Sequence, residues 1–174
     1  MSGFITKDSA GAGKQDGRRI AAGIEYLRQG RSAQAYLILS EPGTEKDPSA
    51  RFALGLCHFR ANDLSAAISC FEQALGLLRA ASPSQGLASA PRAAAENSEI
   101  FLKLAAQQIA DKMYLGPMDR DFCAHFPKAA EHTVLLALID AYLQKGMTEH
   151  AQKLSSGLTG PAFEVYKKKL QENS

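Results

Sequence analysis

Cys57-His58 and Cys123-x-His125 are the places in this 174-residue chain where residue types could bind a metal or build a nucleophile. Zinc takes thiolate and imidazole in sets of four, and a nucleophilic enzyme needs its Cys or Ser held by a base. Neighbours on a helix point about 100° apart, so Cys57 and His58 cannot easily share one ion. No C-x2-C or H-x3-H pair occurs. No motif surrounds Cys123 and His125, and Asp119 and Asp121 read as helix N-terminal acids. Gly11-Ala12-Gly13-Lys14 imitates a phosphate loop, but its glycines are misplaced and Gln15 follows the lysine. His58 reads as a ring packed between helices, and His132 and His150 as surface or cap residues. Lys167-Lys168-Lys169 suits the negative end of a last helix. These readings leave no catalytic residue, no metal and no cofactor, and the chain is expected not to be an enzyme.

Composition points the same way. Hydrophobic residues make up 45%, which excludes a disordered chain, and frequent alanine with few β-branched runs favours helix over sheet. A net charge of +2 with no charged segment leaves no footprint for nucleic acid. No apolar run has signal-peptide or membrane-spanning length, so no membrane partner is expected. Three widely spaced cysteines (Cys57, Cys70, Cys123) read as small buried residues in a reducing compartment. The expectation is a soluble cytoplasmic protein.

The elements follow from punctuation and periodicity. Residues 1–14 read as a flexible tail and 15–174 as one helical domain. Ile20, Ile24 and Leu27 mark a helix stopped by Gly30, and Ser32 is placed to cap the next, through Ala35 and Leu39. Pro48 opens a helix carrying Phe52, Leu56 and Phe59; Asn62-Asp63 turns the chain into a helix with Ala67 and Phe71. Residues 82–92 read as a flexible linker and 93–114 as an extra helix, ended by Gly116-Pro117. A short helical turn fits Asp119–His125. Pro127 opens a helix through Leu136 and Leu143, Gly146 stops it, and Thr148 is a suitable cap. A capping helix spans about 161–171. The three hairpins thus cover about 16–43, 48–81 and 132–160.

One pattern links them. Arg51-x2-Leu54-Gly55-x2-His58, then Asn62, then Ala67-x3-Phe71, repeats the order of Arg19-x2-Ala22-Gly23-x2-Tyr26, Gly30 and Ala35-x3-Leu39, 32 residues earlier. A looser copy reads Leu135-x2-Leu138-Ile139-x2-Tyr142, Gly146 and Ala151-x3-Ser155. These positions resemble the tetratricopeptide repeat (TPR) family, whose signature is W-x2-L-G-x2-Y with a later A-x3-F in a helix–turn–helix. The matches are Gly23, Tyr26 and Ala35; Leu54, Gly55, Ala67 and Phe71; and Leu138, Tyr142 and Ala151. No position carries the Trp, and Ile139 stands where a small residue belongs. The resemblance implies an all-α superhelix of three or more hairpins, with an irregular middle segment and a C-terminal capping helix. It also implies non-catalytic protein binding, as an adaptor, scaffold or small chaperone. The family's charged clamp for a C-terminal carboxylate is absent, since Ile20, Ile24, Phe52, Leu56, Leu136 and Asp140 hold its inner positions.

Helical geometry gathers Phe52, Leu56 and Phe59 on one arc, and Ile20, Ile24 and Leu27 on another. With Leu136 and Leu143, these are the residues expected to line a concave groove. Soluble monomers rarely leave so much apolar surface bare, so something must cover it. The candidates are the chain's own helix at 93–114, or the arc being simply core; an apolar helix or extended segment of another protein or peptide; and a second copy making a homodimer. Type III secretion chaperones of the tetratricopeptide kind offer a further comparison, against which the break at Ser82–Glu131 counts.

Overall fold

The computed structural model describes residues 9–81 and 98–172. They form nine α-helices: α1 (Ser9–Arg28), α2 (Ser32–Leu39), α3 (Pro48–Arg60), α4 (Leu64–Ala81), α5 (Glu99–Ala110), α6 (Arg120–His125), α7 (Pro127–Gln144), α8 (Thr148–Ser155) and α9 (Glu164–Glu172). Short 3-10 turns at Met113–Leu115 and Pro161–Phe163 join α5 to α6 and α8 to α9. No strand occurs among the described residues, so the fold is all-α.

Two boundaries differ from the sequence reading. α1 begins at Ser9, inside the stretch expected to be a tail. Extending an existing helix upstream through Ala10 and Ala12 needs no new nucleus. α5 begins at Glu99, where Ser98 caps it by accepting from the Phe101 N–H at 3.2 Å. The expected linker at 82–92, with residues 1–8 and 93–97, lies outside the described residues.

Three hairpins turn in the same way. The N–H groups of Arg31, Asp63 and Met147 donate to the carbonyls of Tyr26, His58 and Tyr142 at 2.8, 2.9 and 2.8 Å. Those of Gly30, Asn62 and Gly146 donate to Leu27, Phe59 and Leu143 at 3.1, 3.0 and 3.0 Å. This six-to-one closure requires a left-handed residue, and φ is 76° at Gly30, 61° at Asn62 and 76° at Gly146. The next helix then starts in register, and its alanine (Ala35, Ala67 or Ala151) is fully buried. Inside the first two hairpins a glycine admits a large side chain. A Cβ on Gly23 would lie 2.7 Å from Leu39, and one on Gly55 would lie 2.5 Å from Phe71. The third hairpin reverses the sizes, with buried Ile139 in the glycine place and Ser155 in the large-residue place.

The capping differs in detail from expectation. Asp47 caps α3 through Ser49 N and Ala50 N, with Pro48 at the first helical position. Ser32 and Thr148 do not cap; each is the first residue of its helix. The Ser32 hydroxyl instead accepts from Arg60 at 3.2 Å, tying α3 to the start of α2.

The hairpins stack in chain order, α2 against α3 and α4 against α7. Three polar pairs edge the second contact: Lys145 with Ser65 at 3.0 Å, Tyr142 with Glu72 at 2.7 Å, and Arg79 with Glu131 at 2.9 Å. Ser65, Glu72 and Arg79 recur every seven residues, so they share one edge of α4, and α7 runs antiparallel to it. The third hairpin therefore takes the place next to the second. The described residues between them, 98–126, form an excursion from this stack.

Candidate functional site

Residues 98–126 build one side of a cleft. Asp119 caps α6 by accepting from Phe122 N at 2.8 Å. This bond, helped by Arg28, holds its carboxyl below the usual carboxylate range. Arg28 of α1 reaches Asp119 at 3.1 Å, and Arg120 reaches Asp47 at the start of α3 at 2.7 Å. α6 packs on both α3 and α7, with Met118 and Cys123 buried. α5 is held differently. Its main contacts are the two 3-10 turns and α9, and none of its residues is buried.

The link after α5 is a latch. Lys112 is left-handed, with φ of 53°, and its ammonium donates to both oxygens of Asp140 at 3.1 and 2.9 Å. Buried Tyr114 adds its hydroxyl to the same carboxylate at 3.4 Å. Burial, reinforced by the Asp140 charge, pushes the Tyr114 phenol well above its ordinary value and raises Tyr166 to about 12. Asp140, Tyr166 and Leu143 border a small cavity of about 350 Å³ behind this latch.

On the other side of α5 lies a cleft of about 810 Å³. That is within the roughly 300–1,000 Å³ of ligand sites. Phe101, Ala105 and Ile109, one helical turn apart, form the α5 wall. His132, Thr133 and Leu136 of α7 form the floor, Phe122 and Met118 the second wall, and Phe163 the end. Several of its polar groups are already bonded within the chain. His132 Nε2 lies 3.3 Å from the Thr159 hydroxyl and 3.4 Å from its N–H, and its ring meets Phe163 edge-on at 4.7 Å. Thr133 donates to Ala129 O at 2.9 Å, and Lys128 pairs with Glu131 at 3.3 Å. The cleft lining contains no cysteine and no serine. What it offers is apolar surface with a polar edge.

That surface continues outward. Ile100 is 73% exposed, Leu104 55%, Met113 62% and Phe101 40%. On a helical wheel Ile100, Leu104 and Phe101 span about 100°, contiguous with the Ala105–Ile109 face turned inward.

The expected groove residues lie mostly elsewhere. Ile20, Ile24, Leu27, Phe52 and Leu56 are at most 2% exposed, so they are core and line no open surface. α1 packs on α3, the Phe52 ring sits 5.3 Å from Phe71, and α6 closes over the first helices. Phe59 is half-buried at 6.4 Å from Phe71. Leu136 does line the cleft and Leu143 the small cavity. The described part of the extra helix, α5, has its main contacts elsewhere, and it is α6 that packs on α3. The apolar residues of α5 were visible as a helical stripe, but Phe122, His132 and Phe163 carried no local signal of a shared site.

The residues first weighed for chemistry stay apart. Cys57 Sγ turns to Ser32 O at 3.6 Å while the His58 ring pairs with Asp63 at 3.3 Å. Cys123 is buried, and His125 binds Asp121 O at 2.8 Å. Gly11–Lys14 lies within helix α1. Lys167 pairs with Glu164 at 2.6 Å. Among the described residues no group of three or more His, Cys, Asp or Glu could hold a metal ion, and no helix is long and apolar enough to cross a membrane. No protein-family model, curated protein or solved structure matches this chain.

Proposed function

We propose that this chain is a non-catalytic protein-interaction module, an adaptor, scaffold or small chaperone of the cytoplasm. Its site is the α5–α7 cleft, and its partner is an apolar helix or extended segment of another protein or of a second copy. The observation that carries this is α5, a helix with no buried residue whose apolar face runs unbroken from the solvent into an apolar cleft. Such continuity suits a segment lying along the helix, which would bury the exposed stripe and the cleft wall together. The identical turns of the three hairpins support a tetratricopeptide-like architecture as the scaffold. In that reading the hairpins supply rigidity and the excursion between the second and third supplies the binding surface.

The test is a cleft-filling variant. Thr133→Trp places an indole on the cleft floor while the half-buried position tolerates it. Wild type and variant are used as baits in a cell extract, and any protein retained by wild type alone is purified and titrated against both. Tenfold or greater loss of affinity at unchanged melting temperature supports the cleft. Equal binding by the two proteins removes it.

A further inference from the structure

We infer that the segment received by the cleft is α5 of a second copy of this chain, an inference that rests on the cleft reading above. One helix carries both halves of such a contact. Its inner face, through Phe101, Ala105 and Ile109, walls the cleft. Its outer ridge, Ile100 and Leu104, stands in solvent and does not line that cleft. A two-fold axis beside α5 sets the two helices antiparallel and brings each ridge to the mouth of the other copy's cleft. An isologous contact needs this self-complementarity, because what one copy offers the other must accept.

The area agrees. Ile100, Phe101, Leu104 and Met113 together leave roughly 400 Å² of apolar surface per copy, at roughly 100 Å² each. Two such surfaces meet with roughly 800 Å², and the rest of the cleft lining that they cover brings the buried area to about 1,000 Å². That is where specific protein interfaces begin. An α5 of 12 residues is about 18 Å long, enough for the two ridge residues of each copy to be covered at once. The size predicts a reversible dimer, with monomers at low concentration.

The experiment is sedimentation velocity on the full chain from about 1 to 500 µM, with Ile100→Glu, Leu104→Glu and Thr133→Trp beside wild type. Both ridge residues are exposed, so the glutamates leave the fold intact, and circular dichroism checks this. The expected result is a concentration-dependent dimer in wild type, weakened at least about tenfold by either glutamate and by the filled cleft. Wild type that stays monomeric throughout overturns the inference, as does a dimer indifferent to both ridge variants. A monomer whose binding of another protein still responds to Thr133→Trp would overturn the second copy and leave the cleft standing. Thr133→Trp without effect on either would remove both.

Discussion

The Tyr142 hydroxyl donates to Glu72 Oε1 at 2.7 Å, joining α7 to α4 across 70 residues of sequence. The same ring stacks on His150 of α8 at 5.3 Å. Tyr142 therefore serves its own hairpin with its face and the neighbouring hairpin with its edge. Burial first, and then the bond to Glu72, raises its phenol to about 12, so the donor form persists at physiological pH.

Tyr142→Phe keeps the stack and deletes the bond. Chemical denaturation is expected to show a loss of about 1–2 kcal/mol with an unchanged m value, the range for a bond to a charged acceptor at a partly exposed site. An unchanged midpoint would mean that Glu72 is as well served by water.

The third hairpin's reversed sizes predict a coupled pair. Ile139→Gly removes a fully buried side chain and adds a helix-interior glycine, costing about 3–5 kcal/mol. By the register of the first hairpin, Ser155→Leu alone should crowd Ile139. Made together, the two substitutions recreate the Gly23/Leu39 arrangement. The double variant should recover about 1 kcal/mol or more beyond additivity in a double-mutant cycle. Strict additivity would show that the two positions do not face each other.

Asp140 should decide whether α5 stays in place. Asp140→Asn weakens its hold on Lys112, whose side chain is half-exposed, and on the Tyr114 hydroxyl. A cost of about 1–2 kcal/mol is expected, discounted for solvent at Lys112. Its location is the sharper test: hydrogen exchange should quicken in α5 and the Met113–Leu115 turn while α4 is unchanged. Uniform loss of protection would make Asp140 an ordinary core residue.

The three thiols predict alkaline sensitivity. Burial raises Cys57 from 9.0 to about 11, against a smaller opposing effect of Arg60. Burial with the charges of Asp47 and Asp119 takes Cys123 to about 12, and burial also raises Cys70. Folded values above unfolded ones favour the neutral thiol. That contribution is whole below about pH 9 and is lost as pH rises through about 11 and 12. Denaturation midpoints should fall from pH 9 upward, less steeply in Cys123→Ala. At pH 8 the native thiols should resist a disulfide reagent that labels all three in denaturant. Rapid native labelling would contradict their burial.

Much of this was legible in the chain because it is settled within a few residues. The turns at Gly30, Asn62 and Gly146 depend on one left-handed residue and on hydrogen bonds spanning six. Alanines at 35, 67 and 151 mark where helices approach closely, and glycines at 23 and 55 mark where a large side chain enters. Even the irregularity at Ile139 is visible there.

What the chain alone could not settle was which apolar stripe is covered. Periodicity alone leaves Ile20, Ile24, Phe52 and Leu56 as either a groove or core, and makes Ile100, Phe101 and Leu104 a candidate filler. Tertiary structure makes the first set core and leaves the second exposed. A stripe's exposure depends on what arrives from far along the chain, and here α6, pinned by Arg28 and Asp47, closes the first helices while α5 is left outside. The sequence by itself determined the helices, their turns and their repeating register, since those are local. Only the folded chain decided where the open apolar surface lies, because burial is a property of contacts between distant segments.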